Sequence, residues 1–141
     1  MSYLKLWIHF VWSTKYREKT IAHELKGKLI NHIIENARDK GIYIDAINCV
    51  EDHVHVLVSL GATQSVSAIA QLLKGESSHW VNATRLLRGR FEWQDDFAAF
   101  SVSDGAVYNV REYIKNQEAH HRMKSFSEEF EEILEEQGLK E

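Results

Sequence analysis

Hydrophobic positions in the first third of the chain predict a strand followed by a helix. The segment from Tyr3 to Trp12 is dense in β-branched and aromatic residues, which is typical of a strand buried on both faces. Apolar residues then recur at helical spacing from Leu25 to Ala37, and Gly41 stands where a helix C-terminal cap belongs. We therefore expect a central strand and a first amphipathic helix.

The middle of the chain predicts a hairpin and a second helix. Strand-like residues run from Ile42 to Val50 and from His53 to Leu60, with a polar turn between them. Ser65 offers an N-cap to a helical segment that reaches Leu87. A glycine followed by two serines breaks the pattern, so we expect this helix to be interrupted near Gly75.

The last third predicts one more strand and two helices. Phe97 to Val102 forms a short fourth strand, and the polar residues that follow can cap a helix running from Ser103 to about His121. A final helix, from about Ser127 to Glu136, has apolar residues on one side and glutamates on the other. This amphipathic helix is expected to dock on the body of the protein or on a partner.

The order strand, helix, strand, strand, helix, strand predicts an α+β, ferredoxin-like split βαβ fold. Its four-stranded antiparallel sheet carries helices on one face, and a tyrosine-bearing C-terminal helix is added to it. We expect a single domain over 1–141. Residues 1–102 would form the sheet and its helices, 103–124 the tyrosine helix, and 125–141 an acidic C-terminal helix.

Composition narrows the class of protein. The chain has 141 residues, 44% of them hydrophobic, enough for one well-buried core. The N-terminal residues do not follow the pattern of a signal peptide, and no apolar run reaches membrane-spanning length, so we expect a cytoplasmic location. The formal charge is −4, yet residues 128–141 hold seven glutamates against one lysine. The remainder is mildly basic, so the charge distribution permits DNA binding.

The third strand carries the first candidate chemistry. Side chains alternate between the faces of a strand, so Val54, Val56 and Val58 point one way. His53 and His55 then stand side by side on the other face. Two neutral imidazoles at this spacing can meet one metal ion, although a lone His-x-His pair on a strand is more often two ordinary polar residues.

The predicted C-terminal helix supplies a partner for this pair. Tyr113 and Gln117 are four residues apart and lie on one helix face, displaced from its apolar side. The carboxamide can complete a metal site, and a phenol one turn away can reach a phosphate bound to the same ion. The phenol needs such help, because its unperturbed pKa is about 10. Tyr108 is the rival nucleophile, but Glu112 rather than an amide follows it by one turn.

Three segments together resemble the single-tyrosine HUH transposases of the insertion sequence 200/605 family. They are the end of the first strand (Phe10 to Arg17), the histidine motif (Glu51 to Val58) and the tyrosine motif (Tyr113 to Gln117). His-x-His alone is a weak signal. The three motifs in this order, in a chain of this length, are a strong one.

The resemblance implies a function, a cofactor and partners. His53, His55 and Gln117 would hold Mg²⁺ or Mn²⁺, and Tyr113 would become joined to the 5′ phosphate of cleaved single-stranded DNA. A free 3′ hydroxyl would be released. Members of the family act on imperfect hairpins at element ends. They work as homodimers in which the tyrosine helix of one subunit completes the site of the other.

Basic residues interleaved with aromatics suggest a DNA surface. We expect Lys15, Arg17 and Lys74 to act there as a group, by holding phosphates beside stacked bases. Four histidines outside the motif are expected to be surface or packing residues, and His121, one turn beyond Gln117, could assist the site. These histidines are His9, His79, His120 and His121.

Alternative functions stay open at this point. A domesticated relative that only nicks or binds hairpin DNA would keep the same four site residues. A non-catalytic metal-binding module would use Tyr113 structurally. A hydrolase that activates water at the metal would form no covalent intermediate.

Overall fold

The computed structural model describes residues 2 to 139, and four antiparallel strands form its sheet. The strands are β1 (Trp7–Ser13), β2 (Tyr43–Cys49), β3 (His53–Ser59) and β4 (Ala98–Val102). They lie in the order β2-β3-β1-β4, with β1 and β3 at the centre. The predicted α+β fold and its hairpin are therefore confirmed.

Five α-helices accompany the sheet in the described part of the chain. They are α1 (His23–Asp39), α2 (Val66–Ala83), α3 (Val107–Lys115), α4 (Gln117–Met123) and α5 (Phe126–Glu136). None of the helices within residues 2–139 is long and apolar enough to cross a bilayer. Two residues of the predicted acidic tail, Lys140 and Glu141, lie outside the described residues.

The main core lies between one face of the sheet and helices α1 and α2. Phe10 and Trp12 of β1 and the three valines of β3 point into it. They meet Leu29 and Ile33 of α1 and Ile69 of α2, all of which are buried. The strict alternation of β3 places the valines on this face, as predicted, and leaves its histidines to the other face.

The second face of the sheet is covered by α3, α4 and α5. Leu57 of β3 packs with Val107 and Ile114 of α3 in one small cluster. Val11 of β1 packs with Phe126 of α5 in another. Because both faces are covered, His53 and His55 on the second face are as fully buried as the valines on the first.

Two features of β2 hold α3 in place. A register shift between Ile44 and Ala46 interrupts the β2–β3 ladder, and the carboxylate of the intervening Asp45 accepts two hydrogen bonds from Arg111 of α3, at 2.7 and 3.1 Å. Further along β2, the Asn48 amide donates to the carbonyls of Ile114 and Lys115 at the end of α3. Carbonyls at a helix C-terminus lack the amide partners that they would have inside the helix, and the Asn48 amide supplies a donor for them.

The predicted continuous helix from Ser103 to His121 was wrong. A short 3₁₀ turn comes first, and the helix breaks at Asn116, where φ is −94° and ψ is 20°. Sequence periodicity did not show the break because both halves have helical patterns. The cause is tertiary, since Asn48 on a neighbouring strand takes up the carbonyls at which α3 ends.

The predicted interruption of the second helix was also wrong. Helix α2 passes through Gly75 without a break. The buried Ser77 hydroxyl donates to the Leu73 carbonyl one turn earlier and accepts a hydrogen bond from the Trp93 indole at 2.9 Å. A tertiary partner thus stabilises a serine that local preference places at a break.

The first strand is shorter than predicted. It begins at Trp7, and Tyr3, where the prediction began, is exposed.

Ile114 tests the packing that fixes the tyrosine helix on the sheet. Its side chain is fully buried, so we expect Ile114→Ala to lower the free energy of unfolding by about 2–5 kcal/mol in urea titrations. Leu72→Ala, at an exposed position within α2, serves as the control and should cost about 0.5 kcal/mol or less. A loss for Ile114→Ala no larger than the control would contradict this packing.

Candidate metal centre and tyrosine site

The two histidines of β3 lie on the covered second face of the sheet. His53 and His55 are both fully buried, with ring centroids 5.1 Å apart. Their position follows from the alternation of side chains along β3. In the β1–β3 ladder, His55 pairs with Val11 and His53 with Ser13. The predicted side-by-side arrangement is therefore what the strand geometry produces.

A third imidazole fixes the orientation of His55. His9 of β1 is buried, and its Nε2 lies 2.9 Å from Nδ1 of His55. Burial, assisted by the neighbouring His55, lowers the pKa of His9 to about 3, so His9 is neutral at pH 7. A neutral His9 can accept the Nδ1 proton of His55, which directs the free Nε2 lone pair of His55 into the site.

Asp52 fixes the orientation of His53. Its buried carboxylate accepts a hydrogen bond from Nδ1 of His53 at 2.8 Å. This contact selects the tautomer in which Nε2 of His53 is available to a ligand. The residue belongs to the turn that joins β2 to β3, so the hairpin itself sets the tautomer. Both histidines therefore present Nε2 atoms with fixed directions.

Gln117 reaches the histidines from the first position of α4. Its side chain is fully buried, and its Nε2 lies 3.3 Å from Nε2 of His53. The break at Asn116 precedes it directly, so the new helix starts with this residue in the site. Sequence spacing alone had placed Tyr113 and Gln117 on one continuous helix face. The structure brings them together across the break instead.

Tyr113 stands over the same histidines. Its ring centroid lies 5.6 Å from that of His55 and 4.7 Å from that of His120. The phenol points toward the site, where its hydroxyl donates a hydrogen bond to Glu129. Tyr108, the rival nucleophile, is exposed and does not pack with this cluster.

Glu129 of α5 was missed by sequence reasoning. It is buried, with 4% of its surface exposed, although the glutamates of α5 were all assigned to the outer side. Its carboxylate lies 3.2 Å from Nε2 of His53 and 3.1 Å from Nε2 of His55, and it accepts a hydrogen bond from Gln117 Nε2 at 2.6 Å. The Tyr113 hydroxyl also donates to Glu129, so this one carboxylate contacts all four predicted site residues.

A signal for Glu129 was present in the sequence. Phe126, Glu129, Phe130 and Ile133 fall at spacings of three and four, so the helical period itself puts Glu129 on the apolar stripe. The prediction missed this because the helix was taken to begin at Ser127. In the structure α5 begins at Phe126, with the Ser125 hydroxyl accepting from the Glu128 amide as the N-cap.

The expected roles of the other histidines need one correction. His9 was assigned to the surface or to ordinary packing, yet it contacts a proposed metal ligand. The alternation of β1 puts it on the same face as Val11, beside the β3 histidines. His121 lies near the site, with its ring centroid 5.6 Å from that of His53, and His120 packs on Tyr113.

Charges in the site depend on one another. Burial would raise the pKa of Glu129, but close contacts with His53 and His55 outweigh it and hold that pKa well below its usual range. Burial and the contact with Glu129 raise the pKa of Tyr113. Burial lowers the pKa of His55, whereas the nearby carboxylates of Asp52 and Glu129 overcome burial and raise the pKa of His53. Glu129 is therefore an anion and Tyr113 a neutral phenol.

The donor atoms fit a divalent cation. Within residues 2–139, three buried acceptor atoms of the site have no hydrogen-bond partner: Nε2 of His55, Oε1 of Gln117 and Oε2 of Glu129. Ligand atoms of His53, His55 and Glu129 all lie within 4.8 Å of one another. Buried polar atoms without partners cost free energy, and a cation among them would remove that cost.

The three predicted DNA-binding residues have different partners. Lys74 donates to the carbonyls of Asp95 and Asp96 at 2.8 and 3.1 Å, and Lys15 pairs with Glu92 at 3.3 Å, so both lie along the segment that precedes β4. Arg17 instead contacts Ser127 and the Phe126 ring of α5.

Comparison with known proteins extends over most of the chain. Residues 2–117 match the family described as IS200-like transposases. The ISDra2 transposase TnpA of Deinococcus radiodurans is 25% identical over 114 residues, covering 77% of this chain and 81% of that protein. The transposase for insertion sequence element IS200 of Salmonella typhimurium is 27% identical over 115 residues, covering 77% and 74%.

Solved structures agree in fold. A structure from Deinococcus radiodurans R1, assigned to the transposases, superposes with a TM-score of 0.65 at 24% identity over 83% of this chain and 95% of the other. A REP-associated tyrosine transposase bound to a REP hairpin gives a TM-score of 0.64 at 18% identity, over 86% and 72%. The family match reaches from the first residue described to Gln117 and takes in the sheet, the histidine pair and the tyrosine. The chain belongs to the IS200-like transposase family, as its motifs predict.

Proposed function

We propose that this protein cleaves and rejoins single-stranded DNA at insertion sequence ends, with Tyr113 as the nucleophile. Membership in the family supports a transposase, and hence an enzyme that acts on DNA. The observation that carries the finer proposal is the convergence on Glu129. Because a single carboxylate contacts Tyr113, Gln117, His53 and His55, all four lie within reach of one small anionic group such as a DNA phosphate.

In the proposed reaction Tyr113 replaces one ester link of the DNA backbone. The Tyr113 oxygen forms a bond to phosphorus, and the bond from phosphorus to the 3′ oxygen breaks. The phenolic proton is lost, and a proton ends on the 3′ oxygen as a free hydroxyl. The 5′ phosphate stays on the tyrosine, so the energy of the broken link is retained and rejoining needs no ATP.

We propose His53, His55 and Gln117 as the protein ligands of a divalent metal, Mg²⁺ or Mn²⁺. Bound there, the ion would stabilise charge on the scissile phosphate and favour the phenolate of Tyr113. The chain contributes by fixing the donors: Asp52 and His9 hold the two imidazoles, and the break at Asn116 aims Gln117. Two nitrogen ligands suit Mn²⁺ better than Mg²⁺, which prefers oxygen.

Hairpin-forming single-stranded DNA is the proposed partner. A fold relative is bound to a REP hairpin, which supports this class of ligand. Lys15 and Lys74, beside the segment that precedes β4, and Arg17, beside α5, are proposed to contact the DNA backbone. We also propose that the protein forms a homodimer. Within one chain Tyr113 already lies beside His55, so the site can assemble without exchange of the helix.

Replacement of the nucleophile gives the main test. Single-stranded oligonucleotides tiled over the DNA that flanks the gene are incubated with protein and Mn²⁺, and a shifted band is sought on a denaturing gel. We expect the wild type to form the covalent product and Tyr113→Phe to form none, because the phenyl ring cannot bond to phosphorus. Tyr108→Phe, an exposed position on the same helix, is the control and should retain the band.

Other outcomes of this assay have definite meanings. No band with the wild type would favour a non-catalytic metal-binding module. An undiminished band with Tyr113→Phe, lost in Tyr108→Phe, would move the nucleophile to Tyr108. DNA cleaved without any covalent product would indicate a metal-dependent hydrolase that uses water.

Asp52 tests the proposed metal site without DNA. Because its carboxylate orients His53, we expect Asp52→Ala to weaken Mn²⁺ binding about 10–100-fold, measured from the electron paramagnetic resonance signal of free Mn²⁺. Glu51→Ala, at the exposed neighbouring position, removes the same charge and should leave the affinity nearly unchanged. Equal losses in both variants would mean that general charge, and not the orientation of His53, controls the affinity.

A further inference from the structure

The C-terminal helix α5 is docked directly over the proposed site. The Phe126 ring stacks on His53 with centroids 4.3 Å apart, and Phe126 packs with Val11 and Phe100 of the sheet. One turn later Glu129 enters the space between the histidines, Gln117 and Tyr113. The family match ends at Gln117, so α5 and its glutamate lie beyond the shared part of the chain.

Glu129 has the chemistry of a metal ligand. One carboxylate oxygen accepts from Tyr113 and Gln117, while the other, Oε2, is buried without a hydrogen-bond partner in the described residues. Oε2 lies 3.2 Å from Nε2 of His53. A buried carboxylate is stabilised by pairing with a cation, and carboxylate oxygen is a preferred ligand of Mg²⁺ and Mn²⁺.

The same carboxylate lies where the substrate must lie. An attacking oxygen has to come within about 3–3.5 Å of the phosphorus before it reacts. The Tyr113 hydroxyl already donates its hydrogen bond to Glu129 Oε1, which also lies 3.1 Å from Nε2 of His55. A phosphate held beside these groups would overlap the carboxylate. Two anions therefore compete for one position, and both cannot be bound together.

We propose that Glu129 is an exchangeable internal ligand of the metal site, which the scissile phosphate replaces as α5 undocks. This inference rests on the proposed function and adds its regulation. In the DNA-free protein Glu129 completes the ligand set and α5 covers the site. When DNA binds, the phosphate takes the place of the carboxylate, and α5 moves away with Glu129. Metal alone holds α5 docked, whereas metal with DNA releases it.

The attachment of α5 suits such a movement. Between α4 and α5 the chain passes through Lys124, whose φ of −141° and ψ of 143° are extended, so rotation in this short link can swing α5 as a unit. Arg17, a proposed DNA contact, also holds α5 through Ser127 and the Phe126 ring. A DNA phosphate that draws Arg17 away would weaken the docking of α5 at the same time.

Opposite effects on metal and DNA binding test the exchange. We expect Glu129→Ala to weaken Mn²⁺ binding without DNA at least about tenfold, since a ligand is lost. In a Tyr113→Phe background, which prevents cleavage, the same change should tighten binding of a hairpin oligonucleotide several-fold by fluorescence anisotropy, because the competitor is gone. Glu128→Ala, an exposed neighbour on α5, removes the same charge and should change neither affinity appreciably.

Two further measurements guard against a folding defect. Glu129→Gln keeps the size of the side chain but removes its charge and one of its two acceptor oxygens, and should change both affinities in the same directions as Glu129→Ala. In the Tyr113→Phe chain with Glu129 intact, hydrogen exchange at the α5 amides should slow with Mn²⁺ alone and accelerate when the oligonucleotide is added. Exchange that slows further with DNA would contradict undocking.

The outcomes separate this inference from the proposed function. Weaker Mn²⁺ and weaker or unchanged DNA binding in Glu129→Ala would make Glu129 a permanent ligand or a structural residue and overturn the exchange, even if the wild type forms the covalent product. Unchanged Mn²⁺ affinity would overturn it equally. If no protein forms covalent product while Glu129→Ala still shifts the two affinities in opposite directions, the exchange stands and the tyrosine chemistry fails.

Discussion

The burial of two imidazoles on the second face of the sheet is the constraint on which the rest of the site depends. The period-two alternation of β3 buries valines on one face, and the same geometry carries His53 and His55 to the other, where helices cover them. Polar groups withdrawn from water need partners. His9 and Asp52 supply these for the Nδ1 atoms, which leaves both Nε2 atoms directed at one point.

The helices over this face direct Gln117 and Tyr113 toward the same histidines. Asp45 and Asn48 of β2 hold α3 at its middle and at its end, and the helix ends at Lys115, two residues before Gln117. The break lets the chain restart with the amide aimed at His53, while Tyr113 stays one turn earlier in α3. A continuous helix would tie the two side chains to one helical spacing. The broken helix sets the direction of each one separately.

The charge of the site gives α5 its part in function. A centre of imidazoles, an amide and a phenol attracts an anion only when a cation or protonated imidazole is present, and the anion found there is Glu129, from the chain itself. That carboxylate accepts the hydrogen bond of the Tyr113 hydroxyl. Burial and this contact together raise the pKa of Tyr113. The proposed exchange would thereby link metal affinity, DNA access and the docking of the C-terminal helix through one side chain.

The sequence by itself determined the sheet, the hairpin, the family and the pairing of His53 with His55. These rest on local periodicity or on motifs of adjacent residues, and neither needs knowledge of distant contacts. Tertiary structure alone decided the break at Asn116, the continuity of α2 through Gly75 and the entry of His9 and Glu129 into the site. In each case the deciding partner is far away in the chain: Asn48 for α3, Trp93 for Ser77, the β3 histidines for Glu129. Periodicity could put Glu129 on the inner stripe of its helix, but only the packed fold shows that this stripe lies on histidines rather than on an apolar core.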